Sequence, residues 1–114
     1  MITKITRDEL TAKLDANEPL FLLEALPESY YEESHLPGAL NLPIDQIEEL
    51  APRLVPDKSA LVITYCANEP CPNSLIAAQQ LAALGYTQVR EYYEGEQDWI
   101  EAGLPTESGV PALP

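Results

Sequence analysis

The sequence predicts an α/β fold in which a mostly parallel sheet carries helices on both faces. Between residues 20 and 102, apolar segments of strand length alternate with segments of helical period, as parallel strands with crossover connections require. The chain has 114 residues and is 46% hydrophobic, which suits one domain with one core. We therefore expect a single domain over residues 1–107, followed by a flexible C-terminal tail over residues 108–114.

The first half of the chain predicts a helix, a buried strand, a polar connection and a second, shorter strand. Thr6 and Glu9 have the spacing of a capping box, so a helix begins there and ends near Asn17. Leu20–Glu24 is apolar and lies between prolines, which is typical of a buried strand. Residues 39–42 follow a Pro-Gly turn and form the short strand.

The second half continues the alternation. Ser59–Tyr65 carries the β-branched and aromatic residues of a central strand. The other predicted elements are a short amphipathic helix around Ile44, Ile47 and Leu50, a helix that ends at Gly85, a strand over Gln88–Tyr92 and a last helix over Gly95–Ala102.

The charge of the chain limits its partners. Six basic residues stand against 19 acidic ones, for a formal net charge of −13. Such a field repels phosphate backbones and anionic lipids, so we expect neither nucleic acid nor a membrane surface as partner, and a basic protein fits better.

No apolar run approaches the ~20 residues of a membrane helix. The N-terminal residues lack a signal-peptide pattern, which makes the cytoplasm the expected location.

A cysteine stands where an open α/β sheet places its site, just beyond the carboxyl end of a central strand. Cys66 follows the strongest predicted strand, and a helix begins about seven residues later. Loop amides and the positive end of a helix favour the thiolate, so Cys66 is the candidate nucleophile. The backbone N–H groups of Ala67, Asn68, Glu69 and Cys71 are the candidate cradle for a bound anion.

Two other residues allow more than one interpretation. Cys71 is either a resolving thiol, if the loop curls back, or a small residue that packs before Pro72. His35 invites a role as a base, but the turn that follows it favours a structural role. Two cysteines five positions apart and a single histidine do not have the spacing of a zinc site, so we expect no metal.

Several segments together resemble the rhodanese family in order and spacing. They are Leu22–Glu24, Tyr31–Ala39 with its His-Leu-Pro-Gly-Ala turn, Val62–Cys66, Leu81–Tyr86, and Tyr93–Pro105 with its Trp-Ile-Glu-Ala-Gly-Leu-Pro ending. The resemblance covers about residues 3–107. It implies a rhodanese-like fold of about five strands and sulfur transfer through a persulfide on Cys66, with no dissociable cofactor. A subset of the family with a Cys-x-x-x-x-Cys loop is the most similar.

Three departures from the family pattern concern the site. Glu24 and Leu26 stand where family members usually have Asp and Arg. Residues 66–74 contain no arginine and include Glu69, so thiosulfate is a doubtful donor. The loop is also about two residues longer than the common form, as in a phosphatase branch of the superfamily. We discount phosphatase activity because clamping a dianion needs an arginine.

The leading functional hypothesis is therefore a sulfurtransferase that carries sulfane sulfur on Cys66 and passes it to a thiol or another nucleophilic acceptor, including one on a protein. Two alternatives remain open. One is a thiol-redox reductase that uses a Cys66–Cys71 pair. The other is a noncatalytic rhodanese-like binding module that docks a basic partner through its acidic surface.

Overall fold

The computed structural model describes residues 2–110, in which five parallel strands form one sheet in the order β1-β5-β4-β2-β3. The strands are β1 (Thr3–Ile5), β2 (Phe21–Glu24), β3 (Leu40–Asn41), β4 (Leu61–Tyr65) and β5 (Gln88–Tyr92). The helices are α1 (Arg7–Asp15), α2 (Glu28–Glu33), α3 (Ile47–Leu54), α4 (Asn73–Ala83) and α5 (Gly95–Glu101), and a 3-10 turn at Ile44–Gln46 precedes α3. The predicted α/β class is confirmed.

Both faces of the sheet are covered, because successive strand residues point in opposite directions. On one face, Leu23 and Val62 pack with the apolar sides of α3 and α4. On the other face, Leu22 and Ile63 pack with residues of α1, α2 and α5, among them Trp99. The central strand β4 is therefore apolar on both sides, which explains its continuous run of apolar residues.

The local signals near the N-terminus are confirmed. The Thr6 hydroxyl accepts a hydrogen bond from the Glu9 amide, and the Glu9 carboxylate accepts one from the Thr6 amide, so the capping box is present. Helix α1 ends before Asn17, whose φ of 53° ends the helical conformation. The sequence pattern assigns no element to residues 3–5, which pair with β5 as an edge strand.

The C-terminal residues contact the α2 region. His35 and Glu107 form an antiparallel bridge with two backbone hydrogen bonds of 2.8 Å, and the Gly109 amide donates to the Glu32 carbonyl at 3.0 Å. Residues 108–110 of the expected flexible tail are thus partly attached to the domain. Residues 111–114 of that tail lie outside the described residues.

No helix in the described part of the chain has the length and apolar character needed to cross a membrane; α4, with 11 residues, is the longest described.

Candidate active site

Cys66 lies where β4 ends, at the sheet edge shared by the carboxyl ends of all five strands. The preceding residue, Tyr65, pairs with Glu24 of β2 on one side and with Tyr92 of β5 on the other, so the end of β4 is held from both directions. Only 1% of the Cys66 surface is exposed. Because β4 is paired on both sides, the backbone position from which the Cys66 side chain projects is fixed.

The loop between Cys66 and α4 brings the two cysteines of the chain together. Their sulfur atoms form a disulfide, and their Cα atoms are 6.3 Å apart. Cys71 is only half-buried, whereas Cys66 is buried. This distance is the one that the resolving-thiol interpretation of Cys71 requires, and the role of Cys71 stays a prediction.

Helix α5 sets the direction of the loop peptides. The Glu96 amide donates to the Cys66 carbonyl at 2.9 Å, and the Gln97 amide donates to the Ala67 carbonyl at 2.8 Å. In a trans peptide the carbonyl and the following N–H point in opposite directions. The N–H groups of Ala67 and Asn68 therefore point away from α5.

Gly95 lets α5 approach the loop this closely. A Cβ atom on Gly95 would lie 2.8 Å from both N and Cα of Asn68, and 2.9 Å from the Cys66 carbonyl oxygen. Its φ of +80° also lies in the left-handed region, which glycine adopts without strain. Any other residue here would push α5 and the loop apart.

The other end of the loop is tied to three strands through the first turn of α4. The Asn73 amide group donates to the Ala25 carbonyl at 3.0 Å, just beyond β2. The Thr64 hydroxyl of β4 donates to the Ser74 carbonyl at 2.9 Å, and the Ser74 hydroxyl donates to the Glu91 carboxylate of β5 at 2.7 Å. The loop is therefore anchored at both ends.

The expected anion cradle has fewer members than the sequence suggested. The Cys71 amide donates to the Asn68 carbonyl at 3.2 Å, since residues 68–71 form a turn, and it is not free to bind an anion. Within the described residues, the amides of Ala67, Asn68 and Glu69 donate no such hydrogen bond. These three remain the candidate donors.

Glu24, which the resemblance places beside the site, is a buried carboxyl group, and the sequence did not predict its burial or its bond to Tyr65. It is fully buried, accepts a hydrogen bond of 2.8 Å from the Tyr65 hydroxyl on Oε1, and has no partner on Oε2 among the described residues. Burial raises the pKa of Glu24 to about 8; the hydrogen bond from Tyr65 opposes this and the charge of Glu96 adds to it. The signal in the sequence was a glutamate at the end of an apolar strand.

The surface beside the loop is acidic. A cavity of about 300 Å³ between the loop and α5 is lined by residues that include Glu69, Glu94, Asp98 and Glu101. Arg7 lies nearby, but its guanidinium is paired with Asp98 at 2.8 Å. The loop sequence supplies no cation, so a bound anion would depend on backbone amides.

The structural role expected for His35 is confirmed. Its Nδ1 lies 2.7 Å from the Tyr31 carbonyl oxygen, and its ring stacks on that of Tyr31 with centroids 3.7 Å apart. The residue is buried and holds the turn before β3 in place.

Among residues 2–110, no three His, Cys, Asp or Glu side chains come together as a metal site would require.

Two curated proteins are similar to most of this chain. The HTH-type transcriptional regulator Rv0324 of Mycobacterium tuberculosis is 31% identical over 107 residues, which are 94% of this chain and 46% of that protein. The putative sulfur carrier protein YrkF of Bacillus subtilis is 26% identical over 98 residues, 86% of this chain and 51% of that protein. The chain thus spans about half the length of these relatives.

A solved structure and a family model agree with this similarity. The thiosulfate sulfurtransferase of Pseudomonas aeruginosa superposes with a TM-score of 0.85 at 27% identity, covering 96% of this chain and 21% of that one. The model of the rhodanese-like domain matches residues 6–102, which is most of the chain. This match over most of the chain leads to one conclusion: the chain belongs to the rhodanese-like domain family.

Proposed function

We propose that the protein is a sulfurtransferase that carries sulfane sulfur as a persulfide on Cys66. The observation that carries the proposal is the position of Cys66, at the carboxyl end of the central strand and next to three uncommitted backbone amides. Membership of the rhodanese-like family and similarity to a sulfurtransferase and a putative sulfur carrier support a role in sulfur transfer.

In the proposed reaction, the Cys66 thiolate attacks the outer sulfur of a donor R–S–S⁻. A bond forms between Cys66 Sγ and that sulfur, while the donor's sulfur–sulfur bond breaks and R–S⁻ leaves. The product is Cys66–S–S⁻, whose negative charge the amides of Ala67, Asn68 and Glu69 stabilise. These amides and the nearby start of α4 also favour the thiolate form of Cys66.

The charge of the chain indicates the class of donor and acceptor. With a net charge of −13 and no arginine in residues 66–74, the site repels a small dianion such as thiosulfate. A persulfide carried by a protein or by a less charged thiol is the better donor, and a thiol or protein nucleophile is the acceptor. A basic partner protein fits the acidic surface beside the loop.

A second candidate is a thiol-redox reductase, and the Cys66–Cys71 disulfide is the observation in its favour. The third possibility, a noncatalytic binding module, is the outcome to expect if neither cysteine reacts. The three candidate functions predict different changes in the mass of the protein after it meets a sulfur donor.

Mass spectrometry of the reduced protein after treatment with glutathione persulfide separates these functions. In the Cys71→Ser protein, where the added sulfur has no resolving thiol beside it, a gain of one sulfur on Cys66 supports sulfur transfer. Its absence in the Cys66→Ser variant identifies the residue. A Cys71→Ser protein that instead keeps the glutathione moiety as a mixed disulfide on Cys66 supports redox chemistry. An unchanged mass in wild type and both variants would contradict sulfur transfer and leave the binding module.

A further inference from the structure

We infer that Cys71 discharges the persulfide on Cys66 and releases the carried sulfur as hydrosulfide. The inference rests on the proposed function and names the fate of the sulfur at that site. It follows from one geometric fact: in the disulfide of the structure, Cys71 Sγ is bonded to Sγ of Cys66 itself.

A persulfide offers two sulfur atoms to an attacking thiolate, and the products differ. Attack on the outer sulfur would move it to Cys71 and leave a persulfide there. Attack on the inner sulfur, which is Cys66 Sγ, forms the disulfide and expels the outer sulfur. Because the loop places Cys71 Sγ in bonding contact with Cys66 Sγ, it selects the second reaction.

The step balances without a further reactant. Cys66–S–S⁻ and the Cys71 thiol give the Cys66–Cys71 disulfide and HS⁻, and the proton of the thiol passes to the departing sulfur. The two cysteine sulfurs are oxidised together by two electrons, and the carried sulfur is reduced from the sulfane state to sulfide. A dithiol reductant then returns both cysteines to thiols for the next cycle.

The loop holds Cys71 in this position. Its amide donates to the Asn68 carbonyl at 3.2 Å, while hydrogen bonds from α5 hold the carbonyl groups of Cys66 and Ala67 at the start of the loop. Pro70 and Pro72 flank Cys71 and restrict its backbone further. An intramolecular thiol held this way has a high effective concentration, so it competes well against a free thiol acceptor.

The charges near the loop favour release of sulfur over storage. Residues 66–74 carry no positive side chain, and Glu69 lies within the loop. The neighbouring cavity is lined by Glu94, Asp98 and Glu101. No cation adds to the backbone amides in stabilising the persulfide anion, and the acidic field drives the released HS⁻ away from the protein.

The test follows hydrosulfide and the peptide mass together. Reduced wild-type, Cys71→Ser, Cys71→Ala and Cys66→Ser proteins each receive one equivalent of glutathione persulfide, and hydrosulfide is captured with monobromobimane. The Cys66→Ser protein measures release by the donor alone. Trypsin does not cut between Lys58 and Arg90, so one peptide, residues 59–90, carries both cysteines.

For wild type we expect one hydrosulfide per loaded Cys66 and a 59–90 peptide that has lost two hydrogens. For both Cys71 variants we expect a peptide that has gained one sulfur and release that is at least about tenfold slower. If wild type keeps the extra sulfur as long as the Cys71 variants do, the inference is wrong while the proposed function stands. If no protein gains or releases sulfur, the proposed function itself fails.

Discussion

The Tyr65 hydroxyl donates a hydrogen bond of 2.8 Å to Oε1 of Glu24, its partner across the β2–β4 pairing. The same hydroxyl accepts a hydrogen bond of 3.0 Å from the Leu36 amide, so it links the carboxyl group to the turn before β3. Both residues are fully buried. A carboxyl group in this setting, with its pKa raised by burial to about 8, is mainly protonated at neutral pH.

This protonation predicts how stability depends on pH. Glu24 titrates near its ordinary value of 4.5 when unfolded and near about 8 when folded. Between these two pH values the folded chain binds more protons than the unfolded chain. The contribution of Glu24 to the free energy of unfolding therefore falls as pH rises, by up to about 1.4 kcal/mol per pH unit. Glu24→Gln, whose amide oxygen still accepts from Tyr65, should remove this component. Urea denaturation at about pH 5, 7 and 9 measures it.

The exposed Glu48 provides the control for this prediction. Glu48→Gln removes the same charge from the surface, so its stability curve should run nearly parallel to that of wild type. Relative to wild type, Glu24→Gln should gain stability as pH rises. Parallel curves for wild type and Glu24→Gln would mean that the folded protein does not hold Glu24 in its protonated form.

Gly95 and Gly103 form a matched pair for testing the contact between α5 and the loop. Their φ angles are +80° and +79°, but a Cβ on Gly103 would meet nothing within 4 Å. Gly103→Ala should cost about 1 kcal/mol for its backbone conformation. Gly95→Ala should cost about 1–3 kcal/mol more, because the loop backbone must move, and should slow sulfur loading at least about tenfold.

Chemical denaturation and single-turnover loading measure these two effects. Equal losses of stability in the two variants would show that only the backbone conformation matters at Gly95. Normal loading by a destabilised Gly95→Ala would show that the loop does not depend on its contact with α5.

We expect the two thiols to differ in acidity. In reduced Cys71→Ser, the uncommitted amides beside Cys66 should lower its thiol pKa below the ordinary value of a cysteine, in spite of its burial. In reduced Cys66→Ser, Cys71 should titrate at a higher pH than Cys66 does, because its own amide is engaged and both of its neighbours are prolines. Thiolate absorbance in the ultraviolet, followed against pH, measures both values. A lower value for Cys71 would reverse their roles.

Thiosulfate should be a weak donor whose use improves with moderate salt. The acidic chain repels the dianion, and salt shortens the range of this repulsion to ~8 Å at physiological ionic strength. Formation of thiocyanate from thiosulfate and cyanide measures the rate. Rapid turnover that falls with added salt would contradict the expectation and indicate a cation near the site.

Two charge variants test whether charge beside the loop, and not only the total charge of the chain, sets the rate with thiosulfate. Glu69→Gln removes a charge from the loop, whereas Asp15→Asn removes one from the end of α1, at the opposite edge of the sheet. The first should raise kcat/KM for thiosulfate severalfold and weaken its salt dependence, and the second should change both little. Equal effects would mean that only the total charge of the chain matters.

Much of the fold and the position of Cys66 could be predicted from the sequence, because these depend on local patterns. The apolar run of β4 ends at Tyr65, so Cys66 had to lie at a carboxyl strand end. The predicted start of α4 about seven residues later is confirmed at Asn73. Neighbouring residues alone determine such periodicities, caps and turns.

Other features depend on residues far apart in the chain, and only the tertiary structure decided them. Residues 3–5 carry no strand pattern and become β1 because β5 offers them an edge. The amides of α5 direct the loop peptides from about 30 residues away. The Cys71 amide was expected in the cradle, but the turn with Asn68 takes it. The burial of Glu24 arises in the same way, since long-range packing sets solvent exposure that no local pattern encodes.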